Sequence, residues 1–251
     1  MTTIAVMAAP PREGLVAADL AATSPLTETE AAECYAAMLR DVLVAVSESG
    51  ADLLVNYRPD ELLPADHVTD TAAAAEVRAL AAAALDDPGD VRFEPQVGST
   101  FDARAGNTIT HLLREEGVAS AAVVEPTAPF LTRTLVDNAA MKLRRAEAVL
   151  GVSTRGRTYY AGFTEPIDFA DAFAAPALET LTDRGRAAGH DVDFLPIQTV
   201  VETGADLLDL VPALNARVAA ERIVPANTAA FVDRMGLRVV HDDGEPRLAR
   251  D

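Results

Sequence analysis

The sequence predicts an α/β fold of three layers, in which helices cover both faces of a mixed, mostly parallel sheet. Segments typical of strands alternate with segments typical of helices almost to the end of the chain. Helices of about ten or more residues between strands favour parallel pairing with right-handed crossovers. The connection between segments 148–152 and 158–163 is too short for a crossover, so these two strands are expected to pair antiparallel.

The first half of the chain begins with a buried strand at 4–7, followed by a well-marked helix. Thr27 and Glu30 have the spacing of a capping box, which satisfies free backbone N–H groups at a helix start. Apolar residues then recur with helical spacing until Gly50 ends the helix. The same reasoning predicts strands at 53–57, 91–94 and 121–124 and helices at 72–85 and 108–116.

The second half continues the alternation and ends in a short additional unit. Its residue pattern predicts helices at 130–145, 178–188 and 205–220 and strands at 148–152, 158–163 and 192–195. In the last unit, Asn227 is the expected N-cap of a helix that Gly236 ends, a strand follows at 237–241, and the charged tail 242–251 is expected to be loose. We therefore expect one α/β domain at 1–224 and a C-terminal extension at 225–251, which would cover a sheet edge.

Charge is the strongest compositional signal. Asp and Glu number 39 against 21 Lys and Arg, which gives a net charge of −18, and Lys142 is the sole lysine. In molar salt the screening length falls to roughly 3 Å, which removes most of the resulting self-repulsion. The composition indicates a salt-adapted, haloarchaeal protein; the alternative is an acidic protein from a GC-rich genome. In either case the field disfavours nucleic acid as a partner, since phosphate binding needs positive potential.

Several other classes are disfavoured by the sequence. No apolar run of about 18 residues occurs, and the N-terminus is typical of a first strand rather than of a signal peptide, so we expect a cytoplasmic protein without a membrane span. Cys34, the single cysteine, lies on the apolar stripe of a predicted helix and is expected to be a buried structural thiol. The four histidines lack the spacing of a zinc site.

Ligands of open α/β sheets bind at the carboxyl ends of the strands, which here are followed by the segments 8–18, 95–102, 125–130, 153–158 and 200–206. In that order these segments resemble the bacterial and archaeal transferase family found beside radical-SAM and selenium-domain proteins. That family has the glycosyltransferase A fold and is similar to nucleotide-diphospho-sugar transferases and to phospholactate guanylyltransferase. The resemblance covers about 4–207 and is most specific in ECYAAMLRDVL at 33–43, FEPQ at 93–96, YYAGF at 159–163 and ETGADL at 202–207.

The resemblance implies a nucleotide or nucleotide-sugar ligand, but the charged positions of the family pattern have changed. Where the family carries Val-Lys-Thr-Arg-Leu, residues 16–20 read Val-Ala-Ala-Asp-Leu. Thr127 stands in the place of the family's expected metal-ligating Asp, and Glu202 stands where the family has a later Asp. The family's Glu-Asp-Gly-Gly-Tyr-Tyr becomes Thr-Arg-Gly-Arg-Thr-Tyr at 154–159. The chain is therefore identified as a diverged member whose catalytic residues are unknown.

Three hypotheses follow. In the first, Arg12, Arg155 and Arg157 clamp a nucleoside diphosphate in place of a metal, since Arg grips phosphate oxygens bidentately, and Pro10, Gln96 and Gly98 line the nucleotide site. In the second, the chain is a pseudoenzyme, a non-catalytic binding or regulatory protein that acts through a homodimer or a partner protein. In the third, a changed chemistry uses Mg²⁺ or Mn²⁺ held by three carboxylates, those of Glu125, Glu202 and Asp206. Ordinary surface arginines and helix-capping carboxylates are the competing interpretation of these residues.

Overall fold

The computed structural model describes residues 1–242 and 244–250, residue 90 by its backbone alone, and it confirms the predicted three layers. Seven strands form the central sheet, and a separate pair forms a hairpin near the C-terminus. The strands are β1 (Thr2–Ala8), β2 (Asp52–Tyr57), β3 (Arg92–Pro95), β4 (Ser120–Val124), β5 (Ala148–Val152), β6 (Thr158–Phe163), β7 (Val192–Leu195), β8 (Leu237–Asp242) and β9 (Glu245–Arg250). The α-helices are α1 (Ala18–Thr23), α2 (Glu28–Ser47), α3 (Ala73–Ala82), α4 (Phe101–Arg114), α5 (Arg133–Lys142), α6 (Ala177–Ala187), α7 (Gly204–Ala219) and α8 (Ala226–Arg234).

The sheet has the strand order β3-β2-β1-β4-β6-β5-β7 and is mixed, as the short connection between β5 and β6 predicts. Strand β6 runs antiparallel to β4 and β5, while the remaining neighbours are parallel. Strand β1 lies between β2 and β4. The chain first adds β2 and β3 on one side of β1 and then adds β4 on its other side. This reversal of strand order opens a crevice at the carboxyl ends of β1 and β4, which is where open α/β sheets bind ligands.

The alternation of side chains along β1 builds the two faces of the core. Ile4 and Val6 pack with the apolar faces of α2, α3 and α5, whereas Ala5 and Met7 pack with α4 and α6. All these side chains are buried, as a strand covered on both faces requires. Helix α2 carries the expected capping box, in which Thr27 Oγ1 accepts from the Glu30 N–H and Glu30 Oε2 accepts from the Thr27 N–H. Cys34 is buried on this helix, and burial raises the pKa of its thiol to about 12, as expected of a structural cysteine.

The described residues of the C-terminal unit, 225–242 and 244–250, pack against α2 and α7 and differ from the prediction in two respects. Helix α8 is capped by Asp41 of α2 rather than by Asn227, because the Asp41 carboxylate accepts from the backbone N–H groups of Asn227 and Thr228 and from both their side chains. The tail is not loose: β9 pairs antiparallel with β8, and Leu248 packs on the cluster that Leu237 shares with α7 and α8. The β8–β9 pair is a separate sheet, so it extends no edge of the central one.

Two further predictions need correction. Helix α1 was not expected; it is six residues long, begins without a side-chain cap and buries Leu20 alone. Strand alternation predicts that the neighbouring Tyr159 and Tyr160 face opposite sides of the sheet, with one ring in the core and the other towards the cleft or solvent. Both rings are buried instead, and the Tyr159 hydroxyl donates to the carbonyl oxygen of Pro196 at 2.9 Å. Among the described helices, none combines the length and the apolar composition that a membrane crossing needs.

Candidate functional site

A cavity of about 320 Å³ lies at the carboxyl ends of β1 and β4, where the strand order reverses. We call it the strand-end cavity. Its volume is at the lower end of the range found for small-molecule sites, about 300–1,000 Å³. Tyr35 of α2 forms part of the wall and fixes the loop after β1, since its hydroxyl accepts from the Ala9 N–H at 2.9 Å. The larger apolar side chains of the wall are those of Met7, Val16, Tyr35, Phe101 and Val201.

The charged part of the strand-end cavity is acidic. Asp19, Glu125 and Glu202 line it, and none of the described lining residues is a lysine or an arginine. Ala17 and Asp19, which replace two cationic positions of the family pattern, both lie in this wall. A phosphate entering the cavity would therefore meet no positive side chain from the first loop. Thr127 also lines the cavity, and its buried hydroxyl has no hydrogen-bond partner among the described atoms.

Two of the predicted clamp residues lie at one rim of the cavity, where they bind the predicted carboxylates instead of open space. Arg157 Nη2 donates to Asp206 Oδ1 at 2.6 Å and Arg157 Nη1 to Asp206 Oδ2 at 3.0 Å, and Nη1 also reaches Glu202 Oε2 at 3.0 Å. Arg155 Nη1 donates to Asp206 Oδ1 at 2.8 Å. Two guanidinium charges and two carboxylate charges thus cancel within one cluster, the rim cluster of Arg155, Arg157, Glu202 and Asp206.

Local structure explains why this cluster forms. Asp206 lies in the first turn of α7, and its Oδ2 also accepts from the backbone N–H groups of Glu202 and Thr203 and from the Thr203 hydroxyl. The two arginines flank Gly156 in the turn between β5 and β6, where Arg155 adopts a left-handed backbone with φ 59°. Gly204 lets α7 approach α1, since a Cβ there would lie 2.0 Å from the Thr23 carbonyl oxygen.

The protonation of the rim cluster follows from its contacts. Burial alone would raise the pKa of Asp206, but hydrogen bonds from Arg157 and from the backbone of Glu202 and Thr203 lower it to about 2. The hydrogen bonds that Arg157 donates to Asp206, and the one it donates to Glu202, raise the pKa of Arg157 above its usual value despite the burial that lowers it. Both groups are therefore fully charged at neutral pH.

Glu125 behaves in the opposite way. It follows β4 directly, and burial together with the neighbouring charge of Glu202 raises its pKa to about 8, although the charge of Arg157 acts in the other direction. At neutral pH this carboxyl group is mostly protonated and can donate a hydrogen bond into the strand-end cavity. A protonated carboxyl group is a poor metal ligand, because a divalent cation binds carboxylates in their charged form.

The three predicted metal ligands do not fit a divalent cation. Arg157 occupies oxygens of both Glu202 and Asp206, and Glu125 is held neutral. The other Asp206 hydrogen bonds come from Arg155, from the Thr203 hydroxyl and from the backbone N–H groups just before α7. Within the described ranges no group of three His, Cys, Asp or Glu side chains is arranged to hold a metal ion. The guanidinium of Arg157 therefore occupies carboxylate oxygens of Glu202 and Asp206 that a metal ion would need.

Arg12 lies apart from the rim cluster and is fully engaged by other groups. Its Nε and Nη2 bind Glu76 Oε1, Nη1 binds Asp60 and the His67 carbonyl, and Nη2 also binds the Thr71 carbonyl. Arg12 thereby fastens the loop after β1 to the segment that leads into α3. A phosphate contact by Arg12 would require the loss of these bonds.

The predicted nucleotide-lining residues also have structural partners. Gln96 is buried, and its Nε2 donates to the carbonyl oxygens of Ala8 and Asn56, so it ties three strand ends together. Gly98, with φ 134°, lies against the first turn of α4, where a Cβ would come within 2.9 Å of the Arg104 nitrogen. Pro10 is buried in the loop after β1, and its carbonyl accepts from the Arg12 N–H at 2.8 Å.

Residues to which the sequence assigned no binding role define much of the candidate site. Tyr35, Asp19 and Phe101 come from α2, α1 and α4, and tertiary packing alone brings them to the cavity. The sequence predicts a helix at Tyr35, but none at Asp19 or Phe101. Two more arginines, Arg58 after β2 and Arg104 in α4, lie at the same edge of the sheet and carry no predicted role.

No family model and no curated protein matches this sequence. Solved structures do match its fold. A protein from Desulfovibrio desulfuricans G20, provisionally assigned as a nucleotide-diphospho-sugar transferase, superposes with a TM-score of 0.73 and 20% identity over 93% of this chain and 94% of that one.

Two further matches are nucleotidyltransferases. The 4-diphosphocytidyl-2C-methyl-D-erythritol synthase of Anaerococcus prevotii DSM 20548 has a TM-score of 0.50 at 12% identity, covering 86% of this chain and 96% of its own. A cytidylyltransferase from Leptospira borgpetersenii serovar Hardjo-bovis strain JB197 has a TM-score of 0.50 at 10% identity, with 93% and 94% coverage. At these identities the likeness concerns the fold. The chain thus has the nucleotide-diphospho-sugar transferase fold that the sequence analysis expects.

Proposed function

We propose that this protein binds a nucleotide or a nucleotide sugar in the strand-end cavity and does so without metal-assisted group transfer. The observation that carries the proposal is the contact of Arg157 with Glu202 and Asp206, which places a guanidinium on the carboxylates that a metal would need. The fold of the matched transferases supports the class of ligand. A diverged, non-transferring relative of the radical-SAM-associated transferases is the identity we propose for the chain.

The charges of the site support binding rather than turnover. Transfer from or onto a nucleotide builds negative charge on phosphate oxygens, which enzymes stabilise with positive groups placed in advance. Removing one such group costs on the order of 100- to 1,000-fold in rate. Here Ala17 and Asp19 stand at the start of α1, the rim cluster is neutral, and no cation comes from the described cavity wall.

The cavity itself suits the uncharged part of such a ligand. Tyr35 and Phe101 offer aromatic surface, and the protonated Glu125 can donate to a base or a sugar oxygen. Arg155 keeps Nε and Nη2 without partners among the described residues, and its side chain is 54% exposed. A phosphate contact by Arg155 therefore stays a prediction of this proposal, whereas Arg12 and Arg157 would first have to lose their ion pairs.

Ligand-dependent stabilisation tests the proposal. Thermal unfolding in molar KCl, with and without Mg²⁺ or Mn²⁺, is to be measured with nucleoside diphosphates, nucleoside triphosphates and nucleotide sugars. We expect a saturable rise of the unfolding midpoint that is the same in EDTA. Ala18→Trp, which fills the mouth of the cavity, should abolish the rise, while Ala75→Trp on the exposed face of α3 should keep it.

The alternative of a protein that acts through a homodimer or a partner protein has one observation in its favour. Strand β7 is an edge of the central sheet, and Phe194 and the nearby Ile197 are exposed there. If no nucleotide shifts the midpoint and light scattering finds a stable dimer, this alternative replaces the proposal. A midpoint rise that needs a divalent metal would contradict the proposal that the ligand binds without a metal. Transfer of a nucleotidyl or glycosyl group would contradict the proposal that the protein binds without turnover.

A further inference from the structure

Two arginines of this chain are buried to about nine-tenths, and they differ in one respect. Arg12, 8% exposed, binds the carboxylates of Asp60 and Glu76. Arg104, 9% exposed, forms no salt bridge with any described residue, and its Nε has no hydrogen-bond partner there. Its Nη1 reaches the Ser99 carbonyl at a long 3.5 Å. Burial of an unpaired charge is costly, so a group of opposite charge at this place would lower the free energy.

A second arginine lies at the same edge of the sheet. Arg58 follows β2, and its backbone N–H donates to the carbonyl oxygen of Ala8, the last residue of β1, at 2.8 Å. Helix α4 is joined to β2 close by, since Thr108, one turn beyond Arg104, donates from Oγ1 to Asn56 Oδ1 at 3.0 Å. Nε and Nη2 of Arg58 donate to the Leu62 carbonyl, and Arg58 has no salt bridge within the described part of the chain.

The electrostatics agree with this placement. Burial lowers the pKa of Arg104, and the like charge of Arg58 lowers it further, which means that the two guanidinium groups repel each other. Asp102 compensates in part, but its Oδ1 accepts from the Phe173 N–H at 2.6 Å. The positive end of α4, a helix of 14 residues, points to the same edge and adds to the positive potential. The pair thus remains only partly compensated, although the protein carries a net charge of −18.

The pair adjoins the strand-end cavity. The guanidinium carbon of Arg104 lies 5.9 Å from the ring centroid of Phe101, and Phe101 is part of the cavity wall. We infer that Arg58 and Arg104 bind an oxyanion, a phosphate or a carboxylate, of the small molecule whose uncharged part occupies the strand-end cavity. This inference rests on the proposed function. It assigns the anion contact to Arg58, just after β2, and Arg104, in α4, instead of to Arg12, Arg155 and Arg157.

Calorimetric titration with small oxyanions tests the inference. Inorganic phosphate, pyrophosphate and succinate are titrated separately, in KCl and Tris chloride, into the wild type, Arg58→Gln, Arg104→Gln and Arg78→Gln. Arg78 is an exposed arginine of α3 and controls for the change in net charge. We expect saturable binding to the wild type and to Arg78→Gln, and affinities on the order of 10- to 100-fold weaker in the other two variants. Comparison of phosphate with succinate identifies the class of oxyanion.

The stability of each variant is also measured, so that loss of an anion contact can be distinguished from loss of the fold. In buffer without oxyanions, Arg104→Gln should unfold no earlier than the wild type, because the substitution removes a buried unpaired charge. The inference is overturned if the wild type binds no oxyanion, or if both variants bind as tightly as the wild type. If nucleotides stabilise the wild type and Arg104→Gln equally, the proposed function stands and this inference falls. If phosphate binds through Arg58 and Arg104 but no nucleotide binds, this inference stands and the proposed function falls.

Discussion

Arg157 and Asp206 form a two-point ion pair in which both guanidinium Nη atoms contact the carboxylate, at 2.6 and 3.0 Å. Their side chains are 13% and 1% exposed, so the pair is largely shielded from solvent. Because the two residues stand on the β5–β6 turn and on α7, the contact joins the rim of the candidate site across a sequence separation of 49 residues. The pair is therefore both a structural tie and the reason why Asp206 is not free to bind a metal.

Replacing Asp206 by Asn should destabilise the fold strongly. The substitution leaves two guanidinium groups without their shared counter-charge, and breaking one side of a buried ion pair costs about 3–5 kcal/mol. The measurement is the free energy of unfolding in urea at neutral pH. Asp209→Asn on the exposed face of the same helix is the matched control and should change this free energy by less than about 0.5 kcal/mol. Equal effects of the two substitutions would show that the ion pair contributes no stability.

The effect of Asp206→Asn should depend on pH in a defined direction. The pKa of Asp206 is lowered from 3.8 to about 2, so the folded state binds this proton less readily than the unfolded chain does. The stabilisation is thus complete above about pH 4 and is lost as the pH falls towards 2. The difference in unfolding free energy between wild type and variant should shrink over this interval. A difference that is constant from neutral pH down to pH 2 would contradict the assigned ion pair.

Glu125→Gln should stabilise the protein at neutral and alkaline pH. The pKa of Glu125 is raised from 4.5 to about 8, so the folded state keeps a proton that the unfolded chain releases above pH 4.5. This carboxyl group therefore lowers stability progressively as the pH rises from 4.5 to 8. Gln cannot ionise, and we expect a gain of about 1–3 kcal/mol at pH 8 that vanishes near pH 4. Urea unfolding across this pH range is the measurement.

The control for Glu125 is the same substitution at Glu165, an exposed residue beyond β6, which should leave the pH profile of the wild type unchanged. Two results would argue against a protonated Glu125. One is that Glu125→Gln raises the unfolding free energy as much at pH 4 as at pH 8. The other is that Glu125→Gln lowers the unfolding free energy at every pH.

The sequence predicted most of the fold, because the alternation of elements and the short β5–β6 connection depend on local pattern. It failed where an element has little pattern of its own. Helix α1 buries one side chain, and β9, Glu-Pro-Arg-Leu-Ala-Arg, is polar and becomes a strand by pairing with β8. Similarly, Asn227 is a good N-cap by residue type, but the capping carboxylate comes from Asp41 in a distant helix.

The candidate site was predictable as a place but not as a set of contacts. The loops at 125–130, 153–158 and 200–206 do meet at one edge of the sheet, as the strand-end rule implies. Arg157 and Asp206 were each singled out by residue type, one for phosphate and the other for metal, yet the charge of each is satisfied by the other. Conversely, Arg104 precedes the helix predicted at 108–116 and lies in the first turn of α4, and only its burial without a salt bridge makes it notable.

Asp41→Ala should release α8 from α2. The Asp41 carboxylate accepts four hydrogen bonds from Asn227 and Thr228, at 2.6–2.9 Å, and two of these come from backbone N–H groups at the start of α8. Loss of a cap costs about 0.5–2 kcal/mol, and the stranded Thr228 hydroxyl adds to this, so we expect about 2–4 kcal/mol. Hydrogen exchange should quicken in 225–235 more than in the central sheet.

Asp233→Ala near the C-terminal end of α8 is the matched control for Asp41. It removes an exposed carboxylate from the negative end of the helix, where the macrodipole disfavours it, and should be neutral or slightly stabilising. If exchange in 225–235 were unaffected by Asp41→Ala, α8 would be held by its apolar contacts through Phe231 and Val232 alone. The cap would then contribute nothing to its docking.

The net charge of −18 should make stability depend on salt. Raising KCl from about 0.1 to 1 M shortens the screening length from about 10 to 3 Å, which weakens repulsion among the surface carboxylates but affects the buried rim cluster much less. We propose that the chain is salt-adapted and expect its thermal midpoint to rise by several degrees over this interval at pH 7. Near the isoelectric point, about pH 4.5, the net charge approaches zero and the rise should be much smaller. A rise of the same size at both pH values would reflect a general effect of salt on hydrophobic burial and would refute charge screening as the cause.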